Sequence, residues 1–284
     1  VEFSIQQLFQ HQTIEELARA LDHTEAAPSP TLKTEPFSLI SEEDLLKLPE
    51  DVEDAYPLAM LQAGMVFHSE YNPADNLYHN VSSAHLKFPF DGQRLRDALQ
   101  QLVARHPVLR TSFHLTGFSE PMQLVHESAD VPLEIESLTH LTTAEQEDVI
   151  AQAIEVEKNR KFDWKRAPLL RFRVHLRSSE TFQITWTEHH AILDGWSMAS
   201  MITELFQLYF TPATTSAPNA SVAFRDFVAL ERQALASEDA QQYWNQKLSG
   251  SVATVLPRWT GKRSASGRGS FARVIPDDVY EGLN

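Results

Sequence analysis

At 284 residues, 42% of them hydrophobic, the chain is long enough for one large or two ordinary domains with a real core. Its formal net charge of −15 disfavours nucleic acid and anionic membranes as partners, because both repel an acidic surface that lacks a local basic stripe. The absence of cysteine excludes disulfides, thiolate metal sites and a cysteine nucleophile, and makes the cytoplasm the expected location.

Ile5 to His11 and Thr13 to Asp22 read as two short helices, the second opened by a capping box of Thr13 and Glu16. His23 to Pro36 carries Pro28, Pro30 and Pro36 among Ala, Ser, Thr and Glu, a composition expected to stay extended and unpacked as a linker. A short acidic helix follows from Ser41, and the main domain is expected to begin near Val52. Helices are predicted over Ala59 to Glu70 and Gly92 to Ala104, the latter with Leu95, Ala98, Leu99, Leu102 and Val103 on one stripe. Strands follow at Thr111 to Leu115 and Met122 to His126, then a helix from the capping box of Thr142 and Glu145 to about Arg160. Leu170, Phe172, Val174 and Leu176 alternate with Arg171, Arg173 and His175, the pattern of a half-buried strand. Thr181 to Glu188 reads as its neighbour. Helices are predicted at Met198 to Phe210, Val222 to Leu235 and Glu238 to Leu248, and a strand at Ser270 to Ile275. Lys262, Arg263 and Arg268 sit in a Gly/Ser-rich setting that reads as an exposed loop. This mixture of helices and strands predicts an α/β layered domain. The start at Val1 and the end at Asn284, within a further strand-and-helix pattern, lead to the expectation of a piece of a longer polypeptide.

The most specific stretch is His189-His190-Ala191-Ile192-Leu193-Asp194-Gly195-Trp196-Ser197, at a strand end and before a helix. Three chemistries compete for it. As metal ligands, His190 and Asp194 at i, i+4 need a helix, whereas Gly195 and the preceding strand favour a loop. As a polar pair tying down a turn, the histidines explain only part of the motif. Successive side chains of an extended segment point to opposite faces, so one props the loop and the other faces a cleft. As an acyl-transfer site, His190 accepts a proton from an attacking amine or hydroxyl near neutral pH, and Gly195 lets the backbone approach a substrate closely. Asp194 is then expected to be a buried carboxylate in need of a cationic partner.

The stretch resembles the HHxxxDG signature of nonribosomal peptide synthetase condensation domains, members of the chloramphenicol-acetyltransferase-like family. Tyr56 to Met65 resembles that family's first motif in its Leu-Gln-x-Gly-Met form, Arg105 to Phe113 its second, Phe224 to Val228 its fourth, and Tyr243-Trp244 the pair that follows. Pro107 stands where the second motif more often has an acidic residue. Phe3 to Phe9 and Thr13 to Ala18 resemble the tail of a peptidyl carrier domain beyond its phosphopantetheine-bearing serine.

The resemblance implies an α/β, chloramphenicol-acetyltransferase-like lobe, a mixed sheet with flanking helices, preceded by short carrier-protein helices. Its domain boundaries are a carrier tail at 1–24, a linker at 25–51, the N-terminal lobe at 52–235 and the start of a C-terminal lobe at 236–284. It implies peptide-bond formation between carrier-bound thioesters, with epimerisation, a dual epimerisation and condensation activity, and a noncatalytic carrier-docking module as alternatives. His190 and Gly195 take the catalytic positions. His189, Asp194, Arg105, Arg110 and Trp196 take supporting ones, with Arg105 and Arg110 as ion-pair partners of Asp194. No cofactor is expected to be held covalently and no metal is expected; phosphopantetheine thioesters arrive on upstream and downstream carrier domains, beside an adenylation domain. With the second lobe's later motifs missing before Asn284, the isolated chain is expected to be inactive.

Overall fold

The computed structural model describes residues 9–22, 32–71, 76–211 and 222–252. The expected strand at Ser270 to Ile275, the basic loop around Lys262, most of the first expected helix and residues 23–31 of the linker lie outside the described residues. Two compact units result, Val1–Ser237 and Glu238–Asn284.

Local signals set many of the elements. Thr13 Oγ1 accepts from Glu16 N (3.2 Å) at the start of α1 (Ile14–Asp22). Ser41 caps α2 (Glu42–Leu45). In the first unit α3 (Met60–Tyr71), α4 (Gly92–Arg105), α5 (Thr143–Asn159), α6 (Gly195–Phe210) and α7 (Phe224–Ala236) surround two sheets. The capping box of Thr142 and Glu145 is present at α5. In the second unit α8 (Glu238–Leu248) is followed by Gly250 in the left-handed region, with Ser251 N donating to Leu248 O (3.0 Å).

The smaller sheet is antiparallel, in the order β1 (Val52–Pro57), β4 (Met122–His126), β3 (Thr111–His114). The larger runs β2 (His79–Lys87), β7 (Thr181–His189), β6 (Leu170–Leu176), β5 (Leu133–Ser137). Only β5 and β6 pair in parallel within it, which makes β5, α5 and β6 a crossover unit. One face of the large sheet carries Leu170, Phe172, Val174, Phe182 and Ile184 into the main core, with the apolar stripes of α4 and α6, which pack against each other. The opposite face was expected to meet solvent, since Arg171, Arg173 and His175 alternate with the core residues. It is instead covered by α5: Arg171 is 7% exposed and His175 1%. Glu157 of α5 reaches across to pair with Arg171 and to accept from Thr187 Oγ1 (3.3 Å). Burial alone would raise the Glu157 carboxyl, but the Arg171 hydrogen bond and charge, with Arg160, hold it below its ordinary range.

The segment before β1 departs from an unpacked linker. Thr34 donates from N and Oγ1 to Asp226 Oδ1 (2.8 and 2.6 Å), and Phe37 N donates to Asp54 Oδ1 (3.0 Å). Arg225 donates to Thr34 O (3.0 Å) and pairs with Asp54 (2.7 Å). Asp44, fully buried, accepts from Ser119 N (3.1 Å), and the Ser119 hydroxyl holds its carboxyl down to about 2. Buried carboxylates dock this strap because its backbone N–H groups satisfy them.

Candidate functional site

The signature stretch leaves the end of β7 as a turn and enters α6. Ala191, Ile192 and Leu193 are buried in the main core and pin the turn from below. Its backbone groups find partners: His190 N donates to Tyr78 O (2.8 Å), Ile192 N to His189 O (3.1 Å) and Ala191 N to His189 Nδ1 (3.2 Å). Gln62, buried in α3, donates from Nε2 to Ala191 O (3.0 Å). Its Oε1 accepts from Ala59 N (3.0 Å) and from Gln123 Nε2 (2.8 Å), so the turn is clamped to both α3 and β4.

The histidines divide as the extended geometry requires. His189 is 3% exposed, lies edge-on to Trp164 (ring centroids 4.6 Å apart), and uses both ring nitrogens. Since Nδ1 accepts from Ala191 N, the proton sits on Nε2, which donates to Ser69 Oγ (3.1 Å); that hydroxyl is within reach of the Met65 and Leu77 carbonyls (2.9 and 3.0 Å). Burial pushes His189 down to about 3, with the neighbouring His79 and His190 adding to the shift, so the ring is a neutral strut. His190 is half-buried, and among the described residues nothing bonds to its ring nitrogens. It stacks parallel to Tyr78 (centroids 6.5 Å, planes 3° apart). Tyr78 has φ 62°, a left-handed conformation costing a non-glycine residue of order 1–3 kcal/mol, and its carbonyl and ring both hold His190.

Asp194 corrects the expectation of a buried ion pair. It is exposed and is the N-cap of α6, its Oδ1 accepting from Ser197 N (2.7 Å), and those hydrogen bonds lower its carboxyl. This cap starts α6 at Gly195, a turn ahead of the predicted Met198. Arg105, at the end of α4, instead pairs with Glu204 (2.9 Å), which also receives His106 Nε2 (2.6 Å). Glu204 is ten residues along α6 from Asp194, about 15 Å at helical rise. Arg110 is buried, donates from Nε to Val103 O (3.2 Å) and from Nη1 to His126 O, and pairs with Glu53 (2.7 Å), tying α4 to the small sheet. Both arginines support the scaffold rather than the signature turn. Trp196, expected as a support, stands 84% exposed. Gly195 is exposed, and a Cβ there would meet nothing within 4 Å, so this unit's own packing does not require a glycine.

Tyr78, Ser69, Trp164 and Gln62 join the site only in three dimensions. Gln62 lay in the Leu-Gln-x-Gly-Met run and Ser69 in the same predicted helix, while Tyr78 and Trp164 lay in stretches without a signal. Among the described residues no helix is long and apolar enough to cross a membrane.

The profile of a family described as Condensation domain matches residues 52–273. The chain is 36% identical over 267 residues to the AMB antimetabolite synthetase AmbE of Pseudomonas aeruginosa, covering 90% of this chain and 12% of that protein. It is 26% identical over 276 residues to bacitracin synthase 3 of Bacillus licheniformis, covering 93% of this chain and 4% of that one. The chain thus spans a small part of the length of either relative. Among solved structures, the starter condensation domain of rhizomide synthetase RzmA superposes with a TM-score of 0.61 at 14% identity, over 71% of this chain and 49% of that one. The EpoB cyclization-docking bidomain from Sorangium cellulosum gives 0.60 at 20% identity, over 84% and 46%. These two likenesses are of fold.

Proposed function

The chain belongs to the condensation-domain family, and on that premise we propose that it serves a nonribosomal peptide synthetase by joining an aminoacyl or peptidyl thioester to the amine of a second carrier-bound aminoacyl group. The observation that carries this reading is the division between the histidines: His189 is locked neutral by two hydrogen bonds, and His190 is left half-exposed with its ring nitrogens uncommitted. Only the second can meet an incoming amine.

A free α-amine titrates near 7.7–8.0, so a substantial fraction is already neutral at neutral pH, and a thioester is an activated acyl donor. Base catalysis contributes about 10²–10⁴-fold, while alignment of two reactants supplies roughly 7–11 kcal/mol. His190, fixed by Tyr78, therefore mainly orients the amine and takes its proton as the nitrogen attacks the thioester carbonyl; the C–S bond then breaks, and the thiol of the donor's pantetheine arm leaves with that proton. Gly195 leaves open space beside it for the reacting groups. The substrates arrive as phosphopantetheine thioesters on upstream and downstream carrier domains, loaded by an adenylation domain, and residues 1–24 are the tail of the upstream carrier.

In the intact synthetase His190→Ala is expected to reduce dipeptidyl thioester, followed by mass spectrometry, by at least about 10²-fold with aminoacyl loading unchanged. His189→Ala is expected to lower soluble yield before it lowers turnover. Product at the normal rate without His190 would remove the basis for this role. Loss of an α-deuterium from the donor without amide formation would identify an epimerase instead.

A further inference from the structure

Glu188 immediately precedes the histidine pair and has no part in the chemistry above. It is 4% exposed, and among the described residues its Oε2 has no hydrogen-bond partner. Two residues earlier, Trp186 likewise has a buried Nε1 with no partner. Both lie on the same face of β7, and two residues of a strand span about 6.6 Å. A buried polar group without a hydrogen bond is destabilising, and here such a donor and such an acceptor belong to residues two apart on one face of the strand. Across the ladder, Asn80 is in register with Glu188 and Ser82 with Trp186. Asn80 is exposed and Ser82 only partly covered, so β2 leaves its side of this strand end open near His190, whereas Leu170 and Phe172, in register on the β6 side, are buried.

A trans secondary amide presents its C=O and N–H in opposite directions. It is the simplest group that satisfies a donor and an acceptor spaced along a strand. We infer that Trp186 and Glu188 form a subsite that binds a secondary amide of the carrier-delivered substrate, Trp186 Nε1–H donating to its carbonyl and Glu188 Oε2 accepting from its N–H. This rests on the function proposed above. The amide has two sources, the pantetheine arm and the peptide backbone of the donor. Burial raises the Glu188 carboxyl to about 7, while hydrogen bonding from Asn80 favours its ionised form, so an acceptor oxygen is present in either protonation state.

The test is titration of the ¹⁵N-labelled 284-residue chain, which holds five tryptophans, with the Trp186 indole signal assigned by its loss in Trp186→Phe. The probes are pantetheine, an N-acetyl dipeptide methylamide, and an ester analogue of each in which oxygen replaces the amide N–H. At least one amide probe is expected to move the Trp186 indole signal downfield, and the probe that does so identifies the source. The matching ester and the Glu188→Leu variant are each expected to bind about fivefold or more weakly. Glu188→Gln keeps a carbonyl acceptor and is expected to bind within about twofold of the unaltered chain. An indole signal unmoved by both amide probes overturns the inference, as does ester binding equal to amide binding; both measurements use the unaltered chain and stand even if Glu188→Leu fails to fold. The His190→Ala turnover assay separates the two claims. Turnover lost with a silent indole removes the amide subsite alone, whereas turnover kept removes the condensation role and leaves the titration to decide the subsite.

Discussion

Asp194 sits in the signature turn, yet its energetic part is that of a helix cap. Replacing a capping Asp by Ala costs typically about 1 kcal/mol within a range of 0.5–2, well below the 3–5 kcal/mol of a stranded buried charge. Asp194→Ala is therefore expected to lower Tm by a few degrees, and Asp194→Asn or Asp194→Ser to restore most of the loss; a collapse of the fold would show a buried partner after all. Two neighbours couple stability to pH in opposite senses. His189 takes a proton near its ordinary 6.5 when unfolded but only near 3 when folded, so its contribution is full above 6.5 and is lost as pH falls toward 3. Glu188 keeps its proton to about 7 when folded but loses it near 4.5 when unfolded, so its contribution is full below 4.5 and is lost as pH rises through 7. Glu188→Gln cannot ionise, and its Tm relative to the unaltered chain is expected to be several degrees higher at about pH 8 than at about pH 4.5. Parallel Tm curves would mean that Glu188 is hydrated.

At the scale of elements, the turn between β7 and α6 is held by α3 through one side chain. Gln62→Leu strands the Ala191 carbonyl and the Ala59 N–H, at about 1–3 kcal/mol for each group left unmet. Because the Ala191 carbonyl follows His190 directly, the variant is expected to lower kcat by about tenfold or more, since misplacement of about 1 Å can cost 10²-fold. KM for the carriers is expected to hold. Gln62→Glu, which turns a donor into an acceptor facing that carbonyl, should slow turnover similarly; equal kcat in both would show that the turn is rigid without the clamp. The elements themselves were largely legible. Both capping residues, Thr13 and Thr142, and the apolar stripe of α4 act within one or two turns of their own helix. β1, β2 and β5 were missed because none of the three sequences alternates strongly: Val52 to Pro57 is buried without alternation over its last four residues, His79 to Lys87 alternates only between intermediate and exposed positions, and Leu133 to Ser137 gains its order from parallel pairing with β6.

At the scale of the whole molecule, the strap of residues 32–51 is part of the first unit's packing. Asp226 gathers the Thr34 amide and hydroxyl, with Ala223 N (3.2 Å) as a third donor. Hydrogen bonds to a charged group are worth about 1.5–3 kcal/mol each, so Asp226→Ala is expected to speed amide exchange at Thr34 and Phe37 well before it melts the sheets. Uniform acceleration across β6 and β7 would instead show that strap and sheets open as one cooperative unit.

The periodic runs, the caps, the α/β class and the place of the histidine pair at a strand end were all determined by the sequence, because each depends on residues close along the chain. The alternation of side chains in an extended segment also dictated that His189 and His190 have different tasks. Tertiary structure decided which histidine is buried and that Arg105 and Arg110 pair with Glu204 and Glu53, whereas the cap at Asp194 is as local as the others, made through Ser197 N. It also decided that α5 covers the charged face of β6. Those outcomes turn on partners from 14 to 120 residues away, where loop closure and the competition among many possible carboxylates leave no local trace.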